Sequence, residues 1–244
     1  AEDSVKSLLE GAWQREAGVP VDTSREVDSD HILDLIKKLD MYALLRAGMI
    51  VAPAAQVMAR GFGEEGYRGS SGEVQVDGVV GSVLHYQQTD WGNFVIGGSG
   101  DNVYNGDFAV ILDAGGDDVY RGRAGGAMGE LEHPYSLVID LAGDDYYDAG
   151  GLDVAHGAGF LGVGILIDRG GDDVYRSGNY SQGSGYFGIG ILADHGGADD
   201  RRGGYFMQGA GHCGVGILID DGDESSDDRY LSACWSQGFA STFG

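Results

Sequence analysis

The feature that most constrains this chain is a unit that returns every 26–28 residues through its second half. Its clearest copy is Val163-Gly164-Ile165-Leu166-Ile167-Asp168-Arg169-Gly170-Gly171-Asp172-Asp173-Val174-Tyr175. An apolar run ends in aspartate, a glycine turn follows, then an aspartate pair, then a short run closed by tyrosine. The strand-end aspartates are Asp113, Asp140, Asp168, Asp194 and Asp220, in steps of 27, 28, 26 and 26 residues. Aspartate pairs follow at Asp117/Asp118, Asp144/Asp145, Asp172/Asp173, Asp199/Asp200 and Asp227/Asp228, and tyrosines close the unit at Tyr104, Tyr120, Tyr147, Tyr175 and Tyr230. Counted to the first member of each pair, the turn is longer at Gly196-Gly197-Ala198 and longer again at residues 221–226, which places it in solvent. Arg201-Arg202 replaces the usual apolar-tyrosine pair in the fourth copy.

Strands this short bury little surface alone. If each repeat forms one coil, equivalent strands stack about 4.8 Å apart and bury a continuous core. The expected fold is therefore mainly β, a parallel β-helix (solenoid) of about five to six coils of 26–28 residues, right-handed by analogy with most such folds. Val163, Ile165 and Ile167 share one parity, as do Phe187, Ile189, Ile191 and Val215, Ile217, Ile219, and this row is expected to face the core. A propeller blade would need about 40 residues per repeat, and the 46 glycines disfavour a helical repeat.

Three segments follow from this pattern. Residues 1–62 read as helical, with stripes at Val5, Leu8, Leu9 and Trp13 and at Ile32 through Leu45; Gly48 should end or bend that segment before a further helix through Met49–Met58. This part is expected to serve as an N-terminal cap over the first coil's open edge. Residues 63–94 form a β-rich lead-in, and residues 95–244 carry the repeat, which stops mid-coil. The open last coil points to a second chain or self-association there.

Charge narrows the partners. Lys and Arg total 15 against 39 Asp and Glu, a formal charge of -24, which repels nucleic acid and anionic membranes and favours cations or basic partners. No apolar run of membrane-spanning length is read from the sequence. The start at Ala1-Glu2-Asp3 fits removal of a signal peptide or a cut from a longer product, so a secreted, cell-surface or periplasmic location is expected. Cys213 and Cys234 are read as two small thiols, or as an inter-coil bridge.

Stacked aspartates oppose folding unless they are solvated, hydrogen bonded, protonated or cation-bound. They could be Asx-type turns accepting backbone amides, a structural calcium site, or a catalytic metal site. The ligand candidates are Asp113, Asp117, Asp140, Asp144, Asp168, Asp172, Asp194, Asp199 and Asp220. The stretch Gly97-Gly98-Ser99-Gly100-Asp101-Asn102-Val103-Tyr104, with the later Gly-Gly-Asp-Asp turns, resembles the glycine-aspartate repeats of secreted RTX-type calcium-binding β-rolls. That resemblance implies calcium as cofactor, although the unit here is longer than a nine-residue RTX repeat.

A second row lies twelve residues before the strand-end aspartates, at Gln182 and Gln208, with His156 and Met128 in the same place and Gln237 opening one more copy. It could be an amide ladder, or the floor of a carbohydrate or peptide groove with Tyr180, Phe206 and Trp235. His156, Arg201 and Arg202 break the pattern and are the catalytic candidates. The expected function is an exported structural, adhesive or ligand-binding module. The alternative is a polysaccharide lyase or glycosidase working along a groove of the β-helix.

Overall fold

The computed structural model describes residues 37–65, 74–128, 134–222 and 226–241. The helical expectation for the first 36 residues lies outside them. The chain divides into two compact units, Ala1–Met41 and Tyr42–Gly244, and the fold below is that of the second.

Among the described residues it is a parallel β-solenoid of about five turns, as the repeat predicts, with one N-terminal helix. Three sheets form its walls. The first contains β1 (Val79–Val80), β4 (Val103–Asn105), β6 (Val119–Arg121), β9 (Tyr146–Asp148), β12 (Val174–Arg176), β15 (Asp200–Arg202) and β18 (Arg229–Leu231). The second contains β2 (Val83–Thr89), β3 (Gly92–Gly97), β5 (Val110–Leu112), β8 (Tyr135–Ile139), β11 (Val163–Ile167), β14 (Ile189–Asp194) and β17 (Val215–Asp220). The third is built of two-residue strands, β7 (Ala127–Met128), β10 (Gly159–Phe160), β13 (Gly185–Tyr186), β16 (Gly211–His212) and β19 (Ala240–Ser241). Neighbours within each sheet pair in parallel, one coil apart, except β1 with β4 and β2 with β3. Those two antiparallel strands occupy edges of the first coil and end the parallel ladder there.

The helix α1 (Met41–Glu65) runs unbroken through Gly48 and Pro53 and packs on the second sheet. A β-carbon at Gly48 would collide with the Ile189 side chain, so glycine is what lets helix and sheet meet there. By length and composition Met41–Gly63 is apolar enough to cross a membrane, a run the sequence reading did not identify. Here one side of it, centred on Ala55 and Ala59, covers Val110, Leu137, Ile139, Val163, Ile165, Ile167 and Ile189.

That contact corrects the expected core. The Val163–Ile165–Ile167 row faces outward and is buried by α1. The opposite parity fills the interior: Val95, Ile111, Val138, Leu166 and Leu192 pack with the stacked rings of Tyr104, Tyr120, Tyr147 and Tyr175. In the last coil Ile217 and Ile219 continue the outward row and are 36% and 40% exposed.

Strand register corrects two alignments. Asp200 pairs with Val174 and Arg201 with Tyr175, so Asp199 is the counterpart of Asp173, and Ala198 replaces the first aspartate of the pair with no insertion. Met128 lies opposite Phe160, so Ala124, not Met128, matches His156; the extra residues of that coil fall just before β8. Cys213 and Cys234 are free thiols, not a bridge.

Candidate cation site

Side-chain alternation in a strand makes residues two apart share a face. Asp118 therefore points the same way as Tyr120, as do Asp145 with Tyr147, Asp173 with Tyr175, and Asp228 with Tyr230. Asp117, Asp144 and Asp172 face away. The structure sorts the aspartates into three rows by this rule.

The outer row is exposed. Each coil's backbone N–H donates to the carboxylate of the coil before: Asp117 to Asp101 at 3.1 Å, Asp144 to Asp117 at 3.0 Å, Asp172 to Asp144 at 2.9 Å and Ala198 to Asp172 at 2.8 Å. These are the solvent-facing turn aspartates of the sequence reading, satisfied by neighbouring amides.

From Asp113 to Asp194 the strand-end row is buried and, apart from Oδ1 of Asp194, which has no partner, also well supplied. Gly115, Ala142 and Gly170 N–H groups donate to Oδ1 of Asp113, Asp140 and Asp168, closing Asx-type turns. Tyrosine hydroxyls from the coil before donate to Oδ2: Tyr104 to Asp113, Tyr120 to Asp140, Tyr147 to Asp168 at 2.6 Å and Tyr175 to Asp194 at 2.6 Å. The tyrosine rings stack at centroid distances of 5.0, 4.7 and 4.6 Å, so one column supplies both apolar contact and a hydroxyl per layer.

The inner row is different. Asn102, Asp118, Asp145, Asp173 and Asp199 each donate a backbone N–H to Oδ1 of the next coil's acid, at 2.7–3.0 Å. Oδ2 of Asp118, Asp145 and Asp173 has no hydrogen-bond partner, although these residues are at most 1% exposed. A buried charged oxygen without a donor is costly. Burial first, and then the strand-end carboxylates Asp113, Asp140 and Asp168 beside them, pushes these acids up to about 9, 11 and 12. At neutral pH the inner row must therefore hold either protons or another positive charge.

The two buried rows meet as triads. Asp113, Asp118 and Asp140 offer oxygens within 4.8 Å of one another, as do Asp145, Asp168 and Asp173, then Asp173, Asp194 and Asp199, then Asp199, Asp220 and Asp228. Of the sequence candidates, Asp113, Asp140, Asp168, Asp194, Asp199 and Asp220 belong to these groups, whereas Asp117, Asp144 and Asp172 belong to the exposed row. Asp118, Asp145, Asp173 and Asp228 were not among the candidates. The signal for them was their two-residue spacing from the tyrosine or its equivalent.

Arg201 takes the tyrosine place in the fifth layer. Its guanidinium lies between two rings, 4.9 Å from the Tyr175 centroid and 5.3 Å from that of Tyr230. Nη2 donates to Asp194 Oδ2 at 2.6 Å and Asp199 Oδ2 at 2.9 Å, and Nη1 forms an ion pair with Asp220 Oδ2 at 2.8 Å. Burial works against its charge, but the Tyr175 hydroxyl and the carboxylates of Asp194, Asp199 and Asp220 hold its pKa above the usual arginine value. Arg202 points the other way and grips Asp200 through Nε and Nη2, at 2.8 and 2.6 Å.

His156 is fully buried, edge-on to Tyr147 and Tyr175 at 5.9 Å each, and neither ring nitrogen has a hydrogen-bond partner. Burial lowers its pKa to about 3, so the ring is neutral. Gln182 and Gln208 are buried too. Their amides donate to strand carbonyls, Gln182 to Arg202 O at 3.1 Å and Gln208 to Arg201 O at 3.4 Å, in place of an amide ladder. Tyr180 and Phe206 stack inside the coil at 5.2 Å instead of lining an open groove. Non-glycine residues at this corner, Ala124, His156, Gln182, Gln208 and Gln237, take left-handed backbone conformations, which the coils from β6 onward repeat to make the same bend.

The chain matches no protein-family model, no curated protein and no solved structure.

Proposed function

We propose that this chain is an exported, acidic solenoid scaffold, a structural or ligand-binding module that calcium stabilises at its buried aspartate triads. One observation carries the reading: Oδ2 of Asp118, Asp145 and Asp173 is buried without a donor, among other carboxylates. Two oxygens bound to one calcium at about 2.4 Å can be no more than about 4.8 Å apart. The triad spacing fits that limit. An all-oxygen set of carboxylates, with tyrosine hydroxyls alongside, suits a hard cation better than a transition metal. Asp113, Asp118 and Asp140 would hold one ion, and Asp145, Asp168 and Asp173 another. The resemblance of the glycine-aspartate turns to RTX-type repeats agrees with this choice of metal. Extracellular calcium modules work at about 10⁻⁴–10⁻³ M, so an exported location would supply enough ion for modest sites.

The chain's role is then mechanical and presentational, with the ion cross-linking successive coils. The test is metal analysis of the purified protein together with thermal unfolding in chelator and in millimolar calcium. Bound calcium and a melting temperature at least 5 °C higher with it are expected. Equal melting in both buffers, with no metal bound, would sink the proposal.

A further inference from the structure

We propose that Arg201 is a cation built into the repeat, holding the place in the fifth layer that a bound divalent ion holds in the layers before it. The second half of that statement rests on the calcium reading above; the first can be tested apart from it.

The comparison is between equivalent atoms. In three successive coils the inner-row oxygens Asp118 Oδ2, Asp145 Oδ2 and Asp173 Oδ2 have no donor. The equivalent oxygen one coil later, Asp199 Oδ2, has one, the Arg201 guanidinium at 2.9 Å. The same group reaches the strand-end carboxylates on both sides, Asp194 at 2.6 Å and Asp220 at 2.8 Å. A tyrosine there would give one hydroxyl to one strand-end acid, as Tyr147 does to Asp168. Arginine supplies a full charge, two hydrogen bonds from Nη2 to Asp194 and Asp199, and an ion pair from Nη1 to Asp220.

The substitution also costs the stack little. The guanidinium is flat and lies over the faces of Tyr175 and Tyr230, so the column continues across it. A cation has therefore been fitted between the two buried acid rows without opening the coil. Its charge excludes a divalent ion from the triads that share Asp199, leaving Asp113/Asp118/Asp140 and Asp145/Asp168/Asp173 for exchangeable ions.

Calcium alone is the probe, titrated by calorimetry and checked by equilibrium dialysis on the whole 244-residue chain. Arg201→Met keeps a long flexible side chain and removes the charge, so it should bind about one calcium more than the wild type. Arg201→Tyr restores the repeat residue and should do the same, while Arg201→Lys, which keeps a cation, should match the wild type. Equal binding by the Met and Tyr variants and the wild type overturns the inference, whether the shared number is zero or not. If the wild type binds none and Arg201→Met binds one, the inference stands and the calcium reading of the earlier triads falls. If the wild type binds calcium and the variants add nothing, the reading stands and the inference falls. Should the Met and Tyr variants fail to fold in chelator, refolding in calcium decides: recovery there supports the inference, and failure in both buffers overturns it.

Discussion

Tyr147→Phe removes one oxygen atom and tests what holds the buried acids. Tyr147 and Asp168 are both fully buried, and the Tyr147 hydroxyl donates to Asp168 Oδ2 at 2.6 Å. Phenylalanine keeps the ring between Tyr120 and Tyr175, at 4.7 and 4.6 Å, so packing is preserved. Asp168 also keeps the Gly170 N–H on Oδ1 at 2.9 Å. What disappears is a buried hydrogen bond, about 0.5–1.5 kcal/mol, and a fully buried acceptor is left unsatisfied, at about 1–3 kcal/mol. The expected loss is about 3 kcal/mol. In a chain of this size that lowers the melting temperature by about 6–12 °C. The assay is urea unfolding at pH 7 followed by circular dichroism. Tyr146→Phe, one residue away and 39% exposed, serves as the control and should stay within about 0.5 kcal/mol of the parent. If Tyr147→Phe also stays within that margin, Asp168 does not depend on the tyrosine column and the account of the strand-end row is wrong.

Three further outcomes follow from the same geometry. In chelator, Asp145 and Asp173 are raised to about 11 and 12, chiefly by burial, so above pH 4 the folded state holds protons that the unfolded state has lost. Stability should then fall as pH rises, by about 1.4 kcal/mol per pH unit for each such group. His156, lowered to about 3, acts in the opposite sense below the usual histidine range, so the test runs over the window pH 7–9, where Asp118, Asp140 and Asp194, raised to about 9, 8 and 8, add to the fall until they lose their own protons. A melting temperature that is flat or rising across it would count against the protonated inner row. Gly171→Ala should cost more than about 3 kcal/mol, because a β-carbon there would overlap the Gly143 carbonyl one coil away at a φ of 150°. Gly150→Asn, at a φ of 59° with open space around it, should cost under about 1 kcal/mol by the same unfolding assay.

Recurrence was legible without coordinates. Asp113, Asp140, Asp168, Asp194 and Asp220 return at steps of 26–28 residues, and strands of a few residues bury a core only by stacking, so the solenoid follows from the sequence. The candidate site was half legible. The strand-end acids were singled out by position, but in the pairs Asp117/Asp118, Asp144/Asp145 and Asp172/Asp173 the first aspartate was chosen over the second, although Asp118, Asp145 and Asp173 share a face with the tyrosines. A row shifted by one residue points to the other side of the wall.

The direction of the strands was the part that only tertiary structure could decide. Alternation says that Ile165 and Leu166 point opposite ways; it does not say which way is in. Both rows are apolar, so either could be the interior. Their assignment depends on what covers the outside, and that is α1, whose Ala55 and Ala59 bury the isoleucine row and leave Leu166 to the tyrosine column. The same holds for Arg201. The sequence marks it as a break in the repeat, but only the stacking of one coil on the next brings Asp194, Asp199 and Asp220 around its charge.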